Sequence, residues 1–359
     1  MRVYVAAGLQ TRLTGLMLAI ASLALACAGT PPEGHPRPDG QPINVTRERV
    51  TMGSLLQLTA WTRDEPGAVA AFEAVFAEFD RLDRLMSVWK EGSDVTRLNA
   101  AAGQAPVAVS VEVFEVLTVA RQVSEWTGGK FDVTFGALSG LWKFDQDQDD
   151  TIPSRAEVAA RLTDVDYTAL ELDAVRHTAF LRRRGMRAHL GGIGKGYAVD
   201  RGAAILRARG FNDFMIQSGG DLLVRGRRGD RPWRLGIRDP RGPADRSFAT
   251  LDLSNGTFST SGDYERFFLK NGVRHHHILD PDLGEPARLC RSVTIVADQA
   301  VLADALSTGV FILGPEKGMA LIERLPDVEG VIVAADNRVL VSSGLRGRLV
   351  TLAPPTDAP

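Results

Sequence analysis

Five apolar residues, Val69, Phe72, Phe76, Phe79 and Leu82, recur at intervals of three and four, with Glu73, Glu78 and Asp80 interleaved. That period puts an apolar stripe on a helix from about Ala68 to Arg84, and such a stripe must be buried against another element. A second helix is expected from Ser110 to Trp126, opened by Ser110 as N-cap and stopped by Gly128-Gly129; a third starts near Lys195 and ends at Gly210. Short β-type runs follow, punctuated by Gly, Asp and Asn: Phe214 to Gln217, Trp233 to Ile237, Ala249 to Leu253, Ser292 to Val296 and Val331 to Ala334. These runs are only partly apolar, so the expected class is α+β, with helices packed on largely antiparallel sheet. Hydrophobic residues make up 44% of 359, enough for a sizeable core without disulfide or metal staples. No short-period repeat and no internal linker divides the chain. One intertwined unit over residues 46–350 is expected, followed by a disordered tail over 351–359.

The amino terminus carries different information. Leu13 to Ala26 is an apolar run of about 14 residues, short of the ~20 a membrane-spanning helix needs. Arg2 and Arg12 precede it and small residues end it, the layout of an export signal over residues 1–26. Leu23-Ala24-Leu25-Ala26-Cys27 resembles a bacterial lipobox, whose cysteine becomes the lipidated first residue. Ala24 stands where a lipobox usually has Leu, so Ala24-x-Ala26 also fits an ordinary signal-peptidase site, and both readings stay open. If Cys27 carries lipid, Cys290 has no intramolecular partner, since the chain has two cysteines. Residues 27–45, with Pro31, Pro32, Pro36, Pro38 and Pro42 among glycines, read as a tether of roughly 50 Å when extended. The expected location is outside the cytoplasm, facing the periplasm or cell exterior, anchored to the bilayer through Cys27. Net charge is -2 and no basic run tracks a phosphate backbone, which argues against nucleic acid.

Several segments have the composition of a chemical site. Leu190-Gly191-Gly192-Ile193-Gly194-Lys195-Gly196-Tyr197 opens a helix, so its amides could cradle a phosphate or simply form a tight turn with close packing. Its glycines do not fall as G-x-G-x-x-G, and Gly194-Lys195 is not followed by Ser or Thr, which excludes the dinucleotide fingerprint and the P-loop. Asp304 and Thr308, four apart in a helical stretch, share one face and offer two hard oxygens of the kind magnesium prefers; a solvated face is the plain alternative. Of His275, His276 and His277, alternation along a strand would put the first and third on one side. Asp280-Pro281 just beyond forms a turn that would fix His277. The acidic run Asp145 to Asp150 fails as a calcium loop, because Asp150 and Ala156 stand where Gly and Glu are required.

Taken in order, these segments resemble the ApbE family of FAD:protein FMN transferases. Met86-Ser87-Val88-Trp89-Lys90 with Ser93 and Asn99 matches one signature, and Gly129-Lys130-Phe131-Asp132-Val133-Thr134 with Gly136 and Leu138 a second. The glycine cluster through Asp200, Ser218-Gly219-Gly220-Asp221, Ser259 to Tyr264, His277 to Pro281, and Ser292 through Asp304 and Thr308 continue the series, so the resemblance covers about Val50 to Val350. It implies a T-fold-like α+β domain that moves the FMN half of FAD onto a Thr or Ser of a partner protein, a membrane redox-complex subunit or similar, releasing AMP. By resemblance, Gly192, Asp304 and Thr308 hold Mg²⁺ against the FAD pyrophosphate. Trp89 stacks on the isoalloxazine, Met52, Lys130, Phe131, Asp132, His189, Lys195 and Leu279 align with FAD-contacting positions, and His277 orients or deprotonates the incoming hydroxyl.

Two departures from the family pattern stand out. His189 replaces the usual Asp before the glycine cluster, and a ring in place of a carboxylate is expected to accept hydrogen bonds differently. Ser307 stands where some relatives carry a second carboxylate, which predicts weaker Mg²⁺ binding. The same residues would also suit a hydrolase splitting FAD to FMN and AMP, and a carrier that binds FAD without chemistry is a third reading.

Overall fold

The computed structural model describes residues 40–144 and 148–358. The chain divides into residues 1–41 and 42–359, and the fold reported is that of the second unit. The export signal, Cys27, most of the tether and Asp145 to Asp147 lie outside the described residues. Among the described residues no helix is long and apolar enough to cross a membrane.

An eight-stranded antiparallel sheet organises this unit, and its strands lie side by side in the order they occur in the chain. They are β1 (Ile43–Thr51), β2 (Ser54–Thr62), β3 (Phe214–Ser218), β4 (Asp221–Arg225), β5 (Gly256–Gly262), β6 (Cys290–Ala297), β7 (Glu329–Ala334) and β8 (Val339–Val341), each paired antiparallel with the next. Met52 and Gly53 join β1 to β2 with φ of 47° and 72°, the double left-handed geometry that a two-residue hairpin requires. Among the described residues, seven α-helices are excursions from this meander. α1 (Glu65–Met86), α2 (Asp94–Ala100), α3 (Val111–Thr127), α4 (Arg155–Leu162) and α5 (Gly194–Ala208) all fall between β2 and β3, while α6 (Ala300–Leu313) and α7 (Pro315–Ile322) fall between β6 and β7.

Local sequence sets the helix ends. The Asp64 carboxylate accepts from Gly67 N at 2.8 Å at the start of α1, and Ser110 Oγ accepts from Val113 N at 3.3 Å at the start of α3. α3 stops at Gly128, left-handed at φ 61°. Of the expected stripe on α1, Phe72, Phe76, Phe79 and Leu82 are buried in the main core, where Val75 joins them, while Val69 is partly buried against it.

Alternation along the strands gives the sheet two different coverings. Leu223 and Ile332 join the core beneath the helices, whereas their neighbours Leu222, Val224, Val331 and Val333 join a second core on the opposite face. That second core is closed by a three-stranded sheet of residues Trp233–Arg238, Ser247–Leu253 and Leu349–Thr351. A third cluster holds Leu138, Trp142, Phe144, Phe268 and Leu279.

The carboxyl-terminal tail differs from the expectation of disorder. Leu352 N donates to Phe248 O at 2.8 Å, Thr356 Oγ1 to Asp239 at 2.7 Å, and Asn337 Nδ2 to Pro355 O at 3.0 Å. Asp239 is fully buried, and its carboxylate accepts from Thr356 N and Oγ1 of the tail as well as from Arg241 N, with Arg246 Nε 3.3 Å away.

Candidate active site

Asp304 and Thr308 lie one turn apart on α6, where the start of α5 and the ends of β4 and β5 meet it. Asp304 is buried, and its Oδ2 accepts from Gly196 N at 2.9 Å. Lys195 Nζ lies 2.9 Å from Asp221 Oδ2 and 3.7 Å from Asp304 Oδ2, one cation between two buried carboxylates. Asp221 also accepts from Ser259 Oγ. Ser261 Oγ stands 3.1 Å from Thr308 Oγ1 and 2.8 Å from Ser307 Oγ.

The glycines explain how the two helices come so close. A Cβ on Gly196 would sit 2.2 Å from the Ala300 carbonyl oxygen, so only glycine permits the α5–α6 contact that brings its amide to Asp304. A Cβ at Gly192 would lie 3.4 Å from Thr308 Oγ1 and 3.5 Å from the Phe131 ring, which places the Gly192 backbone beside that hydroxyl. The Gly192 backbone therefore lies beside Thr308, while Asp304, one turn earlier on α6, meets the start of α5 at the Gly196 amide. Among the described residues no three His, Cys, Asp or Glu side chains are grouped to hold a metal. Any divalent ion here would take one carboxylate from the chain and complete its shell with neutral oxygens and a ligand's own phosphates.

The electrostatics follow from burial. Burial, then the Asp221 charge, raises the Asp304 carboxyl above its usual range, while Lys195 and the Gly196 amide pull it back. Burial alone would lower Lys195, but Asp221 and Asp304 outweigh it and keep the ammonium charged. Ser307 contributes a hydroxyl to this network, donating to the Asp304 carbonyl at 2.9 Å as well as meeting Ser261.

The remaining expected residues occupy several environments. Met52, at the left-handed hairpin tip, reaches the glycine loop: a Cβ on Gly194 would be 3.8 Å from Met52 Cε and 3.6 Å from Met86 Sδ. Trp89 is 73% exposed, a large indole without cover, on a turn held by Ser93 Oγ donating to the Ser87 carbonyl at 2.7 Å. Lys130 Nζ pairs with both oxygens of Asp280 at 2.7 and 2.8 Å and with Asp282 at 2.8 Å, and those charges raise it despite the opposing pull of burial. Phe131 is packed in the main core and Leu279 in the third cluster.

Asp132 is held within its own turn: Oδ1 accepts from Thr134 N and Oγ1, and Oδ2 from Tyr167 N. Burial nevertheless raises its carboxyl to about 6. His189, which stands where the family usually has Asp, makes a local contact. Its Nδ1 accepts from Gly191 N at 3.1 Å, bracing the glycine loop two residues on.

The three histidines separate completely. His275 stacks between Trp142 and Phe268, with centroid distances of 5.8 and 5.1 Å. His276 is buried, and its Nε2 donates to Ala287 O at 2.7 Å. His277 is half-buried beyond the strand end, and its Nδ1 faces the Arg266 carbonyl at 3.3 Å. Burial, followed by the Arg266 and His276 charges, holds its imidazolium far below the ordinary range. Nδ1–H donates to that carbonyl in the neutral ring, which leaves Nε2 as an acceptor.

Four members of the site were not given roles by sequence reasoning: Asp221, Ser259, Ser261 and Arg266. A signal existed for three of them. Ser259 and Ser261 alternate on one face of a strand, and Asp221 follows the Ser218-Gly219-Gly220 turn that returns the chain to the same edge.

Residues 52–332 match the model of the ApbE family. The chain is 33% identical over 323 residues to the FAD:protein FMN transferase of Treponema pallidum, covering 86% of this chain and 89% of that one. It is 30% identical over 282 residues to the FAD:protein FMN transferase of Escherichia coli strain K12, covering 77% and 80%. Among solved structures, the ApbE protein of Thermotoga maritima matches with a TM-score of 0.78 at 31% identity, covering 85% of this chain and 99% of that one. The flavin transferase ApbE of Vibrio cholerae matches with a TM-score of 0.76 at 26% identity, covering 86% and 99%.

Proposed function

The chain belongs to the ApbE family, and from that premise we propose that it is an FAD:protein FMN transferase, moving the FMN half of FAD onto a Thr or Ser hydroxyl of a partner protein with release of AMP. The observation that supports this reading is the packing of the glycine loop on α6, with the Gly192 backbone beside Thr308 and the Gly196 amide donating to Asp304. One buried carboxylate, one hydroxyl and a backbone carbonyl suit Mg²⁺, which binds through few protein oxygens and keeps places for water and phosphate. When bound, that ion supplies neutralisation of the pyrophosphate oxygens and of the departing AMP.

The chain's own residues do the rest. Lys195 sits between Asp221 and Asp304, and its ammonium offsets part of the repulsion between the two carboxylates. Trp89 offers its exposed indole to the flat flavin, and Met52 flanks the glycine loop from the hairpin tip. His189 braces Gly191, while Lys130, Phe131, Asp132 and Leu279 shape the surroundings of the flavin. His277 takes the proton of the acceptor hydroxyl at Nε2 as the new oxygen–phosphorus bond forms and the anhydride bond to AMP breaks. The acceptor is a membrane redox subunit or similar protein on the side of the membrane to which export and lipidation at Cys27 would bring the enzyme.

The test is an intact-mass assay with FAD, Mg²⁺ and a peptide carrying an acceptor Thr. An FMN-sized mass gain with equimolar AMP, both lost in EDTA, is the expected result. AMP and free FMN with an unmodified acceptor would make the protein a hydrolase, and unconsumed bound FAD a carrier. Membrane fractionation of native protein against Cys27→Ser reads the anchor: the variant is expected in the soluble exported fraction, and an unchanged membrane association would overturn the lipid assignment.

A further inference from the structure

Away from the glycine loop, the segment after β5, the strand Val273–His276 and the start of β6 enclose a cavity of about 160 Å³. Four guanidiniums line it, those of Arg241, Arg274, Arg288 and Arg291, against one carboxylate, Asp263. None of these residues belongs to the constellation assigned to FAD or Mg²⁺.

Accounting for each charge leaves a surplus. Both oxygens of Asp263 are taken by Arg241, at 2.7 Å each, in a pair whose side chains are each 8% exposed. Arg291 is fully engaged: Nε donates to Ala335 O, Nη1 to Asn337 Oδ1 and Thr356 O, and Nη2 to Asp357 Oδ1. Arg274 is not. Its Nε and Nη1 are buried and have no hydrogen-bond partner among the described residues, and neither has Arg241 Nε. The Arg274 guanidinium lies 3.9 Å above the Phe267 ring centroid, which orients the group without satisfying its donors. Arg288, at the exposed rim, donates through Nη1 to the Arg274 carbonyl at 3.1 Å.

The other polar groups facing the cavity bring no negative charge. His276 is neutral, because burial pushes it down to about 4, and Cys290 keeps its proton, because burial pushes the thiol up to about 12. Burial and the adjacent Arg241 also lower Arg274 from its ordinary value, against a smaller opposing pull from Asp263. Buried donors of a charged group that lack partners cost free energy, which a group brought from solvent recovers. Several planar guanidiniums around one small volume suit an anion with oxygens in more than one plane.

We infer that this cavity is a binding site for a small oxyanion of the phosphate class, held by the guanidinium of Arg274, which makes no ion pair among the described residues, with Arg288 at the rim. Calorimetric titration of the full folded unit with inorganic phosphate, in HEPES without Mg²⁺ at low ionic strength, tests it. Saturable one-to-one binding is expected, weakened at least about tenfold in Arg274→Met by loss of charge-assisted hydrogen bonds. Arg288→Gln, at the exposed rim, should weaken it less while leaving the melting temperature unchanged, and it carries the test if Arg274→Met does not fold. Saturating FAD should leave phosphate affinity as it was. Absence of saturable binding, or equal affinity in both variants, would overturn the site. Displacement of phosphate by FAD would relocate it to the nucleotide site, and tighter binding of acetate than of phosphate would overturn the assigned class.

Discussion

The two faces of the central sheet are built from the same strands yet hold opposite contents. On β4, Asp221 pairs with Lys195 while its neighbour Leu222 enters the second core; on β5, Ser259 and Ser261 meet polar partners on the helix side while Phe258 enters that same core. The sheet-side face is dry, closed by Trp233, Leu235, Phe248 and Leu251 from the small sheet. The helix-side face buries two carboxylates, a lysine and several hydroxyls. Such groups are tolerated only where each finds a partner, and α5 supplies both the Gly196 amide and the Lys195 ammonium. The lesson is a division of labour: the apolar face stabilises, and the polar face spends part of that stability on a charged, preorganised centre.

The sharpest way to break the comparison is at Asp304. Asp304→Ala should lower FMN transfer on the order of 10³-fold, the scale of several kcal/mol expected for a lost metal carboxylate, while the protein stays folded. A steady-state rate at saturating Mg²⁺ within a few-fold of the native value would remove Asp304 from the metal site. On the dry face the effect should invert. Phe248→Ala is expected to cost about 3–5 kcal/mol in denaturant unfolding with the transfer rate per folded molecule unchanged, and a rate loss matching that of Asp304→Ala would erase the contrast between the faces.

Lys195→Met leaves two buried carboxylates without their cation and should cost about 3 kcal/mol near neutrality. Adding Asp221→Asn in the same chain should recover part of it, and a double variant no more stable than the single would show that the charges do not couple. The pH dependence follows the same logic. Because burial and Asp221 raise the Asp304 carboxyl, Mg²⁺ affinity should fall as pH drops below neutrality and protons compete for the site. In the metal-free protein the sign runs the other way: a carboxylate whose folded pKa is raised disfavours the fold as pH rises through it, so Mg²⁺ should stabilise more at pH 8 than at pH 5. Asp221→Asn should move the affinity midpoint to lower pH, and an unmoved midpoint would exclude the coupling. The smallest expected effect is Trp89→Ala, which should weaken FAD binding by about 1 kcal/mol without touching the melting temperature. Fluorescence titration with an unaltered dissociation constant would take the indole out of the flavin site.

Much of this was legible in the chain. Period and caps located α1 and α3 because helix ends are satisfied by neighbours three residues away, as Asp64 and Ser110 show. The strand β1 escaped pattern reading because it is largely exposed and shows little apolar alternation. The tail escaped it because its partners, Asp239, Arg291 and Asn337, lie far back in sequence. The contact of His189 is likewise not written in residue type: only the turn brings its Nδ1 to the Gly191 amide.

The amino-acid order by itself determined α1, α3 and α5, the α+β class, the family and the placing of Asp304 and Thr308 one turn apart on a helix, since these depend on contacts within a few residues or on motif spacing. Tertiary structure alone decided that Lys195 bridges Asp221 and Asp304, that His277 is neutral with Nε2 free to accept, and that Arg274 is buried with donors unmet. Those outcomes depend on burial and on charges brought together across tens of residues. Desolvation and Coulomb energies change with a few ångströms of separation, which spacing along a chain does not encode.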